Sequence, residues 1–132
     1  MGEATGAGEP IQVLLIDDEK GFVDILAKRL AKRNIIVTQT FSGQEGIRAL
    51  RKNEFDLVLL DLKMEDMDGL EVLKIIKIMA PEIPVIMLSG HASDEAANRG
   101  MEAGAFDYLT KPYELTDLVH KINQAIRKPP ST

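Results

Sequence analysis

Five short runs of mainly aliphatic and β-branched residues punctuate the chain: 11–16 (IQVLLI), 35–40 (IIVTQT), 56–60 (DLVLL), 84–88 (PVIML) and 105–109 (AFDYL). Runs of this length, mostly without polar alternation, predict strands buried on both faces. Between them the period changes. Over 20–33, Phe22, Ile25, Leu26 and Leu30 share one helical face, and Lys28, Arg29, Lys32 and Arg33 crowd the other. Those basic residues gather in the last turns, where the helix dipole favours cations. The final segment sets Leu115, Leu118, Val119, Ile122 and Ile126 at helical spacing and stops before Pro129-Pro130. A third helix is predicted from about Gly69 to Met79, closed by Pro81, with weaker helical patterns over 43–52 and 93–103. Ser93 opens the last of these, with Asp94 and Glu95 in its first turn.

Strand and helix alternating five times predict an α/β fold: a parallel sheet, doubly wound, with helices on both faces. Right-handed crossovers leave few topologies, and the flavodoxin-like order 2-1-3-4-5 is the favoured one. The 132 residues suit one domain over 11–128, a flexible tail over 1–10, and at 129–132 a tail or the start of a linker. The opening "MGEATGAGEP" has neither the basic nor the apolar stretch of a secretory signal, and Gly6 breaks the myristoylation pattern. No apolar run is long enough to span a bilayer. With no cysteine, disulfide, thiolate and Cys-metal chemistry are excluded, and a cytoplasmic location is expected. A net charge of -5 argues against direct nucleic-acid binding, which needs basic surface.

In such sheets ligands bind beyond the carboxyl ends of the strands. The first strand ends in Asp17-Asp18, the third in Asp61, the fourth in Ser89-Gly90 and the fifth in Thr110-Lys111-Pro112. Singly these residues have plain explanations: Asp18 as a helix cap, Ser89 as a turn residue, Lys111 as a solvated surface lysine. Asp61 resists one, because the next helix begins only near Asp68-Gly69. In the favoured order the four strand ends are neighbours, so the groups converge.

Carboxylates brought to ~4 Å at an effective dielectric of ~20 repel by about 4 kcal/mol per pair. A counter-cation is therefore expected, and an oxygen-only ligand set points to Mg²⁺, which accepts phosphate oxygens. Lys111 and a hydroxyl suit the remaining oxygens of a phosphoryl group. A carboxylate can itself be the nucleophile and form an acyl phosphate, and Asp61, single and central, is the candidate. The same repulsion makes Asp18→Asn an expected stabiliser of the metal-free protein, since Asn caps a helix about as well as Asp.

The motifs "LLIDDE", "DLVLLDLKMEDMDG", "VIMLSGHA" and "GAFDYLTKPY", in this order and spacing, closely resemble the receiver domains of bacterial two-component response regulators, over residues 11–128. The resemblance implies that Asp61 accepts phosphate from a sensor histidine kinase. It implies that Asp17, Asp18, Asp61 and the backbone carbonyl of Lys63 hold Mg²⁺, that Ser89 and Lys111 bind the phosphoryl group, and that Tyr108 changes rotamer on activation. It further implies a cis Lys111-Pro112 bond. The partners implied are the kinase and a downstream protein or output domain, met through the face of the fourth helix, fifth strand and fifth helix, with room for a phosphorylation-dependent dimer.

One departure stands out: Glu65-Asp66 occupies the place of the family's usual Pro-Gly. The domain would be a phosphoacceptor that assists its own phosphorylation and dephosphorylation, not an enzyme with a separate substrate. The alternative, a Mg²⁺-dependent phosphatase working through an aspartyl phosphate, generally carries Asp-x-Asp after the first strand, which "DDEKG" lacks. Flavin binding would need a Ser/Thr/Gly-rich loop there. Met64, Met67, Met79, Met87 and Met101 are expected to fill gaps in the core, and His91 and His120 to carry no chemistry.

Overall fold

The structure is a computed structural model and describes residues 9–90 and 94–127. The elements run β1 (Ile11–Ile16), α1 (Lys20–Ala31), β2 (Ile35–Thr40), α2 (Gly43–Lys52), β3 (Leu57–Asp61), α3 (Gly69–Met79), β4 (Val85–Ser89), α4 (Asp94–Glu102), β5 (Asp107–Thr110) and α5 (Leu115–Arg127). All strand pairs are parallel and the order is β2-β1-β3-β4-β5, the doubly wound arrangement expected. No described helix is long and apolar enough to cross a membrane.

Alternate residues of the central strands feed two apolar layers. Leu14, Ile16, Val58, Leu60 and Met87 pack with α2 and α3, while Val13, Leu15, Leu59, Ile86 and Leu88 pack with α1 and α5. Because both sides are covered, these strands show no polar alternation. All five residues of β3 are buried. The edge strands depart from the expectation of two-sided burial, since Ile36 on β2 is 46% exposed and β5 has no fully buried residue.

The helical faces also needed correction. Ile25 is exposed on α1, and Val23 joins Leu26 and Leu30 inside. Near the end of α5, Ala125 faces inward and Ile126 is exposed. Met64, Met67, Met79 and Met87 do pack with the core, but Met101 is exposed. Helix α1 stops at Ala31, short of 33, because the backbone reverses at Asn34 with φ 64°, a left-handed conformation that Asn tolerates. The strands β3, β4 and β5 begin and end slightly later than their apolar runs, which makes Asp61, Ser89 and Thr110 their last residues. Ser93 and His91 lie outside the described residues.

The loop from β3 to α3 folds back on itself. Gly69 N–H donates to Leu62 O at 3.1 Å, and Lys63 and Asp68 form an isolated bridge. A Cβ at position 69 would lie 2.4 Å from Leu62 Cα and 2.5 Å from Leu62 O, an overlap with backbone that no rotamer relieves. Gly69→Ala is therefore expected to lower stability by about 3 kcal/mol, the upper range for overpacking, read as a lower urea midpoint at unchanged slope.

Candidate functional site

The sheet twists its central strand ends into one acidic mouth. Asp17 follows β1 and is fully buried; its Oδ1 accepts from Glu19 N–H at 3.0 Å and its Oδ2 from Lys111 Nζ at 2.9 Å. Asp61 closes β3 at 4% exposure, and its Oδ1 accepts from Lys63 N–H at 3.2 Å. Lys111 reaches this point because its own N–H donates to Ser89 O at 2.6 Å, extending the β4–β5 ladder by one residue before a cis Lys111-Pro112 bond. Its ammonium lies 3.9 Å from Asp61 Oδ2, 3.2 Å from Glu19 Oε1 and 4.5 Å from the centre of the Phe22 ring.

Electrostatics follow from this crowding. Burial, then the negative charge of Asp17, raise the Asp61 carboxyl to about 6, against the lowering effect of the Lys63 N–H and of Lys111. Burial alone would lower the Lys111 ammonium, but its hydrogen bond to Asp17 and the charges of Asp17 and Asp61 raise it above the ordinary value. Tyr113 lies beneath, edge-on to Phe22 with centroids 6.3 Å apart. Its buried hydroxyl has no hydrogen-bond partner among the described residues, and burial followed by the Asp17 and Asp61 charges pushes the phenol well up.

At two positions the structure adds to the sequence reading. The N-cap of α1 is Glu19 and makes no side-chain cap bond, so Asp18 is not its cap. Asp18 Oδ2 instead accepts from Glu65 N–H at 3.2 Å across the cleft. The tight carboxylate cluster is Asp17, Glu19 and Asp61, with one oxygen from each within 4.8 Å of the others. Relief of repulsion is thus expected from a change at Asp61 more than at Asp18. Glu19 was missed although it completes the run "DDE"; its reach to Lys111 depends on the turn that Asp17 builds, which composition does not display.

Asp18, Glu19, Asp61, Lys63, Met64, Glu65, Gly90 and Lys111 line a cleft of about 390 Å³. Ser89 stands at the rim of the sheet, paired in register with Thr110, and half-buried. Tyr108, on the edge strand, is 38% exposed, and His120 is an exposed residue of α5. Two buried carboxylates with a third beside them supply hard oxygen donors, a set that fits a divalent cation such as Mg²⁺. A cleft of about 480 Å³ at the opposite strand ends is lined by Glu54, Asp56 and Glu82 with no basic residue, and does not suit a phosphoryl group.

Known proteins share this architecture. The response regulator receiver domain family matches residues 13–123. The transcriptional regulatory protein GlrR of Escherichia coli K12 is 36% identical over 120 residues, which cover 91% of this chain and 27% of that protein. The cell cycle response regulator CtrA of Brucella ovis is 35% identical over 118 residues, 89% of this chain and 51% of that one. The chain thus spans about a quarter to a half of the curated relatives it matches. Among solved structures, a response regulator receiver domain protein of Clostridium thermocellum superposes with a TM-score of 0.85 at 35% identity, covering 89% of this chain and 95% of that one. A CheY-like receiver domain protein of Methanospirillum hungatei JF-1 gives 0.86 at 30% identity, covering 89% and 94%. With its sheet order, its acidic mouth and these relatives in agreement, the chain belongs to the response regulator receiver domain family, the signalling modules of two-component systems.

Proposed function

We propose that this protein works in the cytoplasm and that Asp61 is its phosphoacceptor, taking its phosphoryl group from a phosphohistidine of a sensor histidine kinase. The observation that carries this reading is the setting of Asp61: the last residue of a fully buried strand, 4% exposed, lining an open cleft with Lys111 Nζ 3.9 Å away. An Asp61 carboxylate oxygen attacks phosphorus, the N–P bond of the donor breaks, and its electron pair stays on the histidine nitrogen, which takes up a proton. Asp17, Asp18, Asp61 and the Lys63 carbonyl would hold Mg²⁺, which would offset the repulsion between this carboxylate and the incoming anion. Glu19, not among those four, brings a carboxylate oxygen within 4.8 Å of those of Asp17 and Asp61.

Lys111 then pairs with the new anion, and Ser89 donates its hydroxyl. Tyr108 turns inward as Ser89 moves, which reshapes the surface of α4, β5 and α5. Each of these elements carries one exposed large apolar side chain, Met101, Tyr108 and Ile126 in turn, and the reshaped surface would receive a downstream protein, an output domain or a second phosphorylated copy. Residues 11–128 form the working domain in this reading, with 1–10 and 129–132 as tails or linker.

Incubation with acetyl phosphate and Mg²⁺ is expected to add a single phosphate to the wild-type protein and none to Asp61→Asn. Intact mass, before and after mild base, reads the result. An adduct that survives base, or an equal yield in Asp61→Asn, overturns the assignment.

A further inference from the structure

Asp66, at the position where the family usually has Gly, turns away from the cleft. Its carboxylate accepts from Gly43 N–H at 2.9 Å and from Gln44 N–H at 3.1 Å. These are the first two donors of α2, which have no partner within the helix itself. The next donor, Glu45 N–H, goes to Ser42 Oγ at 3.0 Å, and Glu45 Oε1 accepts from Phe41 N–H at 2.7 Å. The first turn of α2 is therefore capped by two devices of different origin: one from its own N-cap Ser42, the other from the loop that follows the phosphoacceptor strand. A buried glycine makes the approach close. A Cβ on Gly43 would lie 2.9 Å from Val72 Cγ2 and 3.0 Å from Met67 Sδ.

The same loop is held on its other side by Glu65 N–H on Asp18 Oδ2. Residue 65 thus orients one carboxylate of the cleft, and residue 66 fastens the loop to α2. Lys63, whose carbonyl belongs to the proposed cation site, sits three residues before the fastening. We propose that Asp66 is a positioning residue of that site: by clasping the N-terminus of α2 it fixes the 62–68 loop, and through it the Lys63 carbonyl and the Asp18 carboxylate. The clasp supplies ordering that a proline at 65 would supply by fixing φ. The inference rests on the cation site proposed above. Burial raises the Asp66 carboxyl, and the backbone N–H groups of Gly43, Gln44, Asp66 and Met67 together outweigh it and hold the group below its ordinary value.

The test separates fastening from mere helix capping. Mg²⁺ binding is measured by calorimetry on wild type, Asp66→Ala, Asp66→Asn and Ser42→Ala. Asp66→Ala is expected to weaken Mg²⁺ binding about tenfold, the lower end for loss of an outer partner at a metal site. Asp66→Asn, with one acceptor oxygen left, should fall between it and wild type. Ser42→Ala also uncaps α2 but leaves the loop fastened, so it should melt lower and bind Mg²⁺ as wild type does. Wild-type affinity in Asp66→Ala, or equal weakening in Ser42→Ala, overturns the proposal. If Asp66→Ala fails to fold, Asp66→Asn against Ser42→Ala decides on the same criterion. Wild type that takes up phosphate while Asp66→Ala keeps its Mg²⁺ affinity refutes the clasp alone. A weakened Asp66→Ala beside a wild type that takes up no phosphate refutes only the phosphoacceptor reading.

Discussion

Asp61→Asn is expected to melt well above wild type in EDTA at pH 7.5, although the same change removes the proposed phosphoacceptor. The folded protein holds the Asp61 carboxyl near 6, against 3.8 ordinarily, mainly through burial and the charge of Asp17. Between those values the folded state binds the proton and the unfolded state does not, so wild-type stability falls as pH rises through the window. Above 6 the deficit is complete, and the gap corresponds to about 3 kcal/mol. Asn keeps the size of the side chain and an oxygen for the Lys63 N–H while removing the charge. For a domain of this length the gain is on the order of 10 °C. Near pH 3.8 and below the two proteins should converge. Mg²⁺ should narrow or reverse the order by stabilising wild type, by about 2.7 kcal/mol at a hundredfold excess over Kd. Thermal melts in EDTA at several pH values check this, and an Asn variant that melts lower at pH 7.5 refutes it.

A residue that lowers stability in the resting protein and is essential once the cation and donor arrive marks a site selected for chemistry. That tension was partly readable in the sequence. The central apolar runs could only be strands covered on both faces, and in a 2-1-3-4-5 sheet their ends had to meet, which brought Asp17, Asp61 and Lys111 together before any coordinates. What the sequence hid depends on loop trajectory. Whether Asp18 caps α1 or crosses to Glu65, and whether Glu19 points to water or to Lys111, is settled by a few backbone torsions after β1. In the sequence Glu65 and Asp66 show only as a departure from the family's Pro-Gly; in the structure one contributes its N–H and the other caps a helix elsewhere. Helix faces were misjudged for a simpler reason. On α1 the choice between Val23 and Ile25 rests on a rotation smaller than one residue's turn, and periodicity alone does not set the rotation.

Lys111→Met is expected to have the opposite effect to Asp61→Asn, and the two together show how the resting site is balanced. Lys111 Nζ lies 2.9 Å from the fully buried Asp17 carboxylate, and its side chain is 16% exposed. Met keeps the stem that packs near Phe22 and removes only the charge. Two buried carboxylates are then left facing each other with no cation, a loss of about 3–5 kcal/mol when one partner of a buried pair is removed. In EDTA at pH 7.5 the variant should melt far below wild type, and acidification should recover much of the loss as a proton replaces the ammonium. The Lys111 ammonium is held above its ordinary 10.5, so in wild type the pair's contribution is fully present below that pH and is lost as pH rises beyond the raised value. Mg²⁺ should raise the melting temperature of Lys111→Met more than that of wild type, because there it meets no competing ammonium. Asp61→Asn should stabilise Lys111→Met by more than it stabilises wild type, a non-additivity that neighbouring charged residues produce. A single variant that melts like wild type in EDTA, or a double variant whose loss is the plain sum of the two, would show that Lys111 does not neutralise these carboxylates in the resting state.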